Sequence, residues 1–367
     1  MTHEQQALLY LVGLGIGNDI EPGFDFKGVD WRNLIDLSFD QAVAAIAIDG
    51  LSKVGGCTCH EPVEGRVDGL DTLDSPELED LKYEWFGEVF RCEEDYQKYK
   101  QTIINLAKFY ESQGIKMMVM KGYGLSLNYP IPSHRSCGDI DVYLYGFGAD
   151  ADRLVSEKLG IEVNLENPKH SVFSFEGVTV ENHYTFTDVL ESKANAKTEQ
   201  VLEKYIDSGI KSEIGCYFPS NEWNYIFLLR HFGKHFGIRT SVSLRQIIDW
   251  GLFLKSLPMD FDIDGILKDV KSVGLERLNN LATSLAEDIL GFDFSRYITE
   301  RPSIKERERV FEDIFSAPNA KFSENRIVSF AQRVFCFFSQ RWKYKYLPES
   351  YTENLWYKVK TIRVFWK

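Results

Sequence analysis

One short segment most constrains what this chain can fold into. A helical pattern runs to Gln113 and stops at Gly114, and the hydrophobic period then changes. Ile115-Lys116-Met117-Met118-Val119-Met120 is a nearly continuous apolar run, as expected of a buried strand. Lys121-Gly122-Tyr123-Gly124 follows, with a helix-like stretch to Tyr129 that Pro130 and Pro132 break. Gly138-Asp139-Ile140-Asp141-Val142-Tyr143-Leu144-Tyr145 then alternates strictly, as a strand with two unlike faces should. A short helix fits 150–159, and strands fit 171–175 and 178–186, joined by a hairpin at Glu176-Gly177.

Both flanks read as helical. Helices fit 5–15, 30–37 and 38–51, and a long one starts at Ser75-Pro76-Glu77, where a hydroxyl cap, a first-turn proline and an acid stand together. Its length suggests one bend or break. Residues 52–74 are glycine-rich and aperiodic, so they read as a loop. Beyond residue 195 the helical period returns, with helices expected at 220–236, 244–257, 262–273, 275–290, 304–316, 323–340 and 351–364. The expectation is an α+β chain: a helical region over 1–113, a mixed-sheet core over 114–194 and a helical domain over 195–367.

Two carboxylates stand out. In a strand, residues i and i+2 share a face, so Asp139 and Asp141 lie about 7 Å apart on one side with Tyr143 and Tyr145, opposite Ile140, Val142 and Leu144. Such a pair suits a hard divalent ion, because Mg2+ takes oxygen ligands and keeps substrate phosphates in its shell. The pair alone says little, since on the order of eight acid-x-acid spacings arise by chance at this composition. Its surroundings say more. The preceding strand ends at Lys121-Gly122, where backbone N–H groups at a helix start suit a phosphate. Arg135 adds a cation, and alternation puts Thr179, Glu181 and His183 on one face of a later strand, with Glu181 as a candidate third carboxylate.

These residues resemble a known family. Lys121-Gly122-x-Gly124-Leu125, Tyr129-Pro130, Arg135, Gly138-Asp139-Ile140-Asp141 and Val180-Glu181-Asn182-His183-Tyr184 look like the uncharacterised nucleotidyltransferases of the DNA polymerase β superfamily, and resemble the nucleotidyltransferase toxins of bacterial toxin–antitoxin pairs. A weaker likeness extends to Asp30-Trp31, to Leu228-Leu229-Arg230-His231 with His235, and to Leu244-Arg245-Gln246-Ile247-Ile248-Asp249. Two departures stand in the sequence: Tyr123 where the superfamily carries Gly or Ser, and a longer gap from Gly122 to Asp139.

The resemblance implies a nucleotidyltransferase-fold core and Mg2+-dependent transfer of a nucleoside monophosphate from a nucleoside triphosphate to a hydroxyl, with pyrophosphate leaving; Mn2+ is the alternative ion. It implies Asp139, Asp141 and Glu181 as metal ligands and catalytic residues, with Glu181 helping to deprotonate the acceptor. Lys121, Gly122, Tyr123, Gly124, Arg135, His183, His231 and Arg245 are the implied nucleotide-binding residues, Arg135 neutralising charge in the transition state. The alternatives are a catalytically degenerate binding module of the same fold, a metal-dependent glycosyltransferase using Asp-x-Asp, and an interaction protein that works through its helices.

Composition narrows the partners. With 55 acidic and 42 basic residues the net charge is 42 − 55 = −13, which disfavours a nucleic-acid acceptor, because such affinity comes from Lys and Arg displacing counterions. A small molecule or a protein is the expected acceptor. No run approaches the ~20 apolar residues of a transmembrane helix. The N-terminus lacks a signal-peptide pattern, and 6 cysteines in 367 residues do not suggest a disulfide framework, so a cytoplasmic location is expected.

Other patterns carry bland readings. Asp260-Phe261-Asp262-Ile263-Asp264-Gly265 looks like the start of a calcium loop, but Lys271 stands where that loop needs a glutamate, so it reads as an acidic helix cap. His231 and His235, at i and i+4, read as packing or substrate contacts before metal ligands, and Arg245 with Asp249 as a helix-surface ion pair. Cys57-Thr58-Cys59-His60 is a weak zinc signal with no second cysteine pair nearby; Cys92, Cys137, Cys216 and Cys336 read as isolated and buried. Arg341, Lys343, Lys345, Lys358, Lys360, Arg363 and Lys367 lie among Trp342, Trp356, Tyr357, Phe365 and Trp366, and read as an amphipathic helix docked on the domain rather than a membrane or RNA contact.

Overall fold

The computed structural model describes residues 1–18, 23–54, 76–238, 242–316, 325, 328–329 and 338–353. Cys57-Thr58-Cys59-His60, Cys336 and the basic residues from Lys358 onward lie outside them. Four helices come first: α1 (His3–Gly15), α2 (Trp31–Asp40), α3 (Ala44–Val54) and α4 (Pro76–Ser112). Thr2 and Gln5 form a capping box on α1, and the Asp30 carboxylate caps α2 by accepting from Asn33 N. The helix expected over 38–51 is instead divided, because α2 runs to Asp40 and the chain turns at Ala42, whose φ is 55°. Gln41 explains the break. Buried at the turn, it donates to the Ile314 carbonyl at 3.1 Å and accepts from Leu244 N at 2.9 Å, tying the turn to two distant helices.

Helices α1 and α3 cross with their backbones nearly touching. A Cβ on Gly50 would fall 1.8 Å from the Leu11 carbonyl oxygen, and one on Gly15 would fall 2.1 Å from that of Ile46, so only glycine fits at either place. Trp85 then anchors α4 to α3 through Nε1, which donates to the Ala44 carbonyl at 2.9 Å. Helix α4 continues unbroken for 37 residues.

The middle of the chain supplies β1 (Met118–Met120), α5 (Gly122–Ser126), β2 (Ile140–Tyr143), α6 (Gly148–Leu159), β3 (His170–Phe175) and β4 (Val178–His183). After α7 (Lys193–Lys204) come two very short strands, β5 (Ile210–Lys211) and β6 (Tyr217–Phe218), which helical periodicity beyond 195 does not anticipate. All six form one mixed sheet in the order β3-β4-β2-β1-β6-β5. Strand β2 runs parallel to β4 and antiparallel to β1, while β6 runs parallel to β1. The sheet therefore extends past residue 194 through the bond from Tyr217 N to the Met117 carbonyl at 2.8 Å.

Both faces are covered, which is why residues 117–120 are all apolar and buried. Met117 and Val119 pack with Ile140, Val142, Leu144, Val155 and the C-terminal half of α4. Met118 and Met120 pack on the opposite side with the C-terminal helices α8 (Asn221–Ile238) and α9 (Leu244–Ser256). Helices α10 (Ile263–Ser272), α11 (Glu276–Leu290) and α12 (Ile304–Ser316) complete that layer. Asp262 caps α10 by accepting from Gly265 N at 2.9 Å, so the calcium-like segment is a helix start. Of the C-terminal cations, Lys343 is buried against Asp313 at 2.5 Å and is no surface charge. Among the described residues, no helix is long and apolar enough to cross a membrane.

The loop between α5 and β2 is held by His134. Its Nδ1 lies 2.7 Å from Asp49 Oδ2 on α3, and its Nε2 lies 3.2 Å from Glu93 Oε1 on α4. Burial pulls the imidazole pKa down, but hydrogen bonds and charge from Asp49 and Glu93 outweigh it and raise it above 6.5. A raised folded-state pKa stabilises the fold below the unfolded value, and that contribution fades as pH rises through the folded one. His134→Gln should therefore cost about 1–3 kcal/mol in urea unfolding near pH 6, and less near pH 9. An equal loss at both pH values would contradict a charged clamp.

Candidate active site

The parallel register of β2 and β4 sets Asp141 opposite Glu181 and Tyr143 opposite His183. Asp139 sits just before β2 and shares the Asp141 face. One carboxylate oxygen from each of Asp139, Asp141 and Glu181 lies within 4.8 Å of the other two. The three acids singled out in the sequence thus converge. Asn182, between Glu181 and His183, turns to the other face, donating to Asp152 Oδ1 at 2.8 Å and to the Gly148 carbonyl at 3.1 Å, which locks β4 against α6.

Asp141 is almost fully buried, and its Oδ1 receives Lys121 Nζ at 2.7 Å and His183 Nε2 at 2.9 Å. Burial alone would raise its pKa, but the Lys121 charge and the His183 bond bring it to about 2. Burial draws the Lys121 ammonium down, yet Asp141 and Asp139 hold its pKa above the ordinary value. Asp139 moves the other way, pushed up by burial and then by the Asp141 charge. The hydrogen bond from His183 keeps Glu181 below its usual value. The acids are therefore unequal: Asp141 is firmly ionised, and Asp139 is the stronger base.

The Lys121-Gly122-Tyr123-Gly124 turn differs from the sequence expectation in how it is used. Lys121 adopts φ 46°, a strained left-handed value for a non-glycine residue, and this brings its side chain over Asp141. The Tyr123 ring points away from the carboxylates, buried and stacked on Tyr96 at 5.4 Å, with Phe218 at 6.2 Å. Only its backbone faces the site side, so the departure from Gly or Ser places no ring over the acids. Gly124 answers to Phe218, whose ring carbon would lie 3.3 Å from an added Cβ, and its N–H already bonds the Lys121 carbonyl. Helix α5 has only 5 residues, so its dipole is small and the anion-binding charge here is chiefly that of Lys121.

A cleft of about 430 Å3 opens between the sheet and α8 and α9. Lys121, Gly122, Asp139 and Asp141 form one wall; His231, His235, Arg245 and Gln246 form the other, with Phe232 and Trp250 as apolar floor. Glu181, on the neighbouring strand β4, does not line the cleft. Burial holds the His231 pKa well below its usual value, and its ring lies 4.6 Å from that of His235. Gln41, Ser136, Ser243 and Gln246 also line the cleft, and no local pattern in the sequence marks them.

Arg135 lines the cleft with much of its donor capacity committed. Its Nε and Nη2 make a two-pronged bond to Asp249 at 2.7 and 2.8 Å, and Nη1 contacts the Ser136 carbonyl at 3.4 Å and Cys137 Sγ at 3.6 Å. This is a buried structural pair rather than a guanidinium free to meet a phosphate. Arg245 and Asp249 do not form the surface ion pair expected of i, i+4 neighbours. Asp249 turns inward to Arg135 and Tyr129, and Arg245 bonds the Ser136 carbonyl at 3.0 Å.

The oxygens of Asp139, Asp141 and Glu181 are hard donors close enough together to hold a metal ion. His170, Glu181 and His183 form another group close enough to hold a metal. The family model described as uncharacterised nucleotidyltransferase matches residues 27–291. No curated protein and no solved structure matches the chain.

Proposed function

The chain belongs to the uncharacterised nucleotidyltransferase family, and on that premise we propose that it moves a nucleoside monophosphate from a nucleoside triphosphate to a hydroxyl of a small molecule or a protein. The observation that carries this reading is the convergence of Asp139, Asp141 and Glu181 beside Lys121 at the edge of the cleft. Asp139, Asp141 and Glu181 would hold Mg2+, or Mn2+ in its place. Bound there, the ion supplies charge neutralisation to the phosphates and acidity to the attacking hydroxyl.

The chain's own groups do the rest. Lys121 and the backbone at Gly122 neutralise the leaving pyrophosphate, Arg245 and His231 shape the surrounding wall, and His183 holds Asp141 in place. Asp139, which lines the cleft where Glu181 does not and whose carboxyl is pushed up by burial and by the Asp141 charge, takes the hydroxyl proton. The acceptor oxygen bonds to the α-phosphorus while the α–β bridging bond breaks. Arg135 acts through position, holding the segment that leads into Asp139. The chain's net charge, 42 − 55 = −13, favours a small-molecule or protein acceptor over nucleic acid.

The test is incubation of the purified chain with Mg2+, cell extract and each nucleoside triphosphate, labelled in turn at the α- and γ-phosphate. Label from the α position should appear on an acceptor, and label from the γ position should appear in pyrophosphate. Transfer of γ label to the acceptor would replace this reading with a kinase.

A further inference from the structure

We propose that His170, His183 and Glu181 form a second cation site, selective for a divalent transition ion of the zinc class. The site itself does not depend on the transfer reaction above. Nε2 of His170 lies 3.7 Å from Oε1 of Glu181, and Nε2 of His183 lies 3.4 Å from Oε2. All three ligand atoms fall within 4.8 Å of one another. A tetrahedral ion with ligands at about 2.0–2.1 Å sets neighbouring ligand atoms about 3.4 Å apart, and each imidazole nitrogen already stands near that spacing from one of the two Glu181 oxygens.

Strand pairing builds it. The antiparallel register sets His170 of β3 directly opposite His183 of β4, with ring centroids 5.0 Å apart, and Glu181 is two residues along on the His183 face. His183 is also oriented as ligating histidines are. Its Nδ1 faces the Thr185 carbonyl at 3.3 Å, and donation there presents Nε2 for coordination. That nitrogen points at two carboxylates, Asp141 at 2.9 Å and Glu181 at 3.4 Å. An imidazole lone pair cannot face two anions without a cation between them, either a proton or a metal ion. Lys121, 2.7 Å from Asp141 Oδ1, is that carboxylate's other partner, so Asp141 would not be left without a counter-charge if a metal took the His183 nitrogen.

The donor set decides which ion. Two imidazoles and one carboxylate with a position left open match catalytic zinc sites, whereas Mg2+ prefers oxygen and gains little from imidazole. His170 and Glu181 keep 15% and 23% of their side chains exposed, which gives an ion a way in. Glu181 belongs to both groups. An ion on the imidazole side therefore withdraws it from the carboxylate trio, and Zn2+ should inhibit transfer even at saturating Mg2+; that consequence alone rests on the proposed reaction.

The full chain, stripped with a chelator, is titrated with Co2+ in excess Mg2+. The expected result is a visible d–d spectrum of a four- or five-coordinate ion, displaced by Zn2+, kept in Asp139→Asn and weakened at least about tenfold in His170→Gln. A spectrum unchanged in His170→Gln, its loss to Mg2+ alone, or a thiolate charge-transfer band from Cys57 and Cys59 would each overturn the proposal. If His170→Gln fails to fold by circular dichroism, zinc-edge absorption of the unaltered chain decides: two imidazole nitrogens support the site, and one or none sinks it. Should Asp139→Asn keep full transferase activity, the transfer reading falls and the imidazole site still stands or falls on its own spectrum.

Discussion

Asp141→Asn should lower nucleotidyl transfer by on the order of 10²–10³ while leaving the chain folded. The substitution keeps the shape of the side chain and removes its charge. Asp141 is the carboxylate on which the others depend: it accepts from both Lys121 and His183, and its pKa near 2 keeps it ionised wherever the protein is folded. With Asn in its place, the Lys121 ammonium loses its nearest counter-charge and retains only the weaker pull of Asp139 and Glu181. The carboxylate trio becomes a pair, and a hard divalent ion loses one of its three anionic ligands. Asp139 changes as well, because after burial the neighbouring Asp141 charge is the largest cause that raises its pKa. A single substitution therefore weakens ion binding and the proposed base together. Pyrophosphate release measured beside circular dichroism and a thermal melt separates this from misfolding. A folded variant that releases pyrophosphate at the parental rate would refute the role.

The acids were legible because they obey a local rule. Alternation alone puts Asp139 and Asp141 on one face and Glu181 with His183 on another strand's face, and the structure needs only the β2–β4 register to bring them together. The buried character of 117–120 was legible as well, from an unbroken local run of apolar side chains. What could not be read depends on long-range partners. Gln41 breaks a helix because it bonds residues 203 and 273 positions away, and nothing near it in sequence signals that. Strands β5 and β6 have two residues each, too few for any period to show. His170 sat at the edge of an expected strand that began one residue later, so its register with His183 emerged only with the pairing. Tyr123 stood out as a departure because a motif position specifies a residue type and not the direction of its side chain; the ring turns into the core beneath α4.

The largest stability effect should come from Asp249→Ala, a loss of about 3–5 kcal/mol in urea unfolding. Asp249 and Arg135 are 114 positions apart in sequence, yet their side chains form a two-pronged pair with both partners more than nine-tenths buried. Tyr129 adds a third bond to the same carboxylate at 2.7 Å. Removing the acid leaves a guanidinium that cannot lose its proton in a largely buried place, and it leaves the Tyr129 hydroxyl without its acceptor. The double variant Arg135→Met with Asp249→Leu should recover much of the loss, since two buried apolar side chains avoid the desolvation that one orphaned charge incurs. The pair Arg32–Glu84 provides the contrast: its side chains are 51% and 44% exposed, and Arg32→Ala should cost less than about 1 kcal/mol. If Asp249→Ala costs no more than Arg32→Ala, the buried pair is not what holds α9 to the segment before Asp139. If the double variant regains stability without regaining transfer, the pair's main service is placement. Arg135, Ser136 and Arg245 form a short chain of contacts leading from α9 to the residues just before Asp139, and an apolar replacement can fill that volume without setting the acid's position.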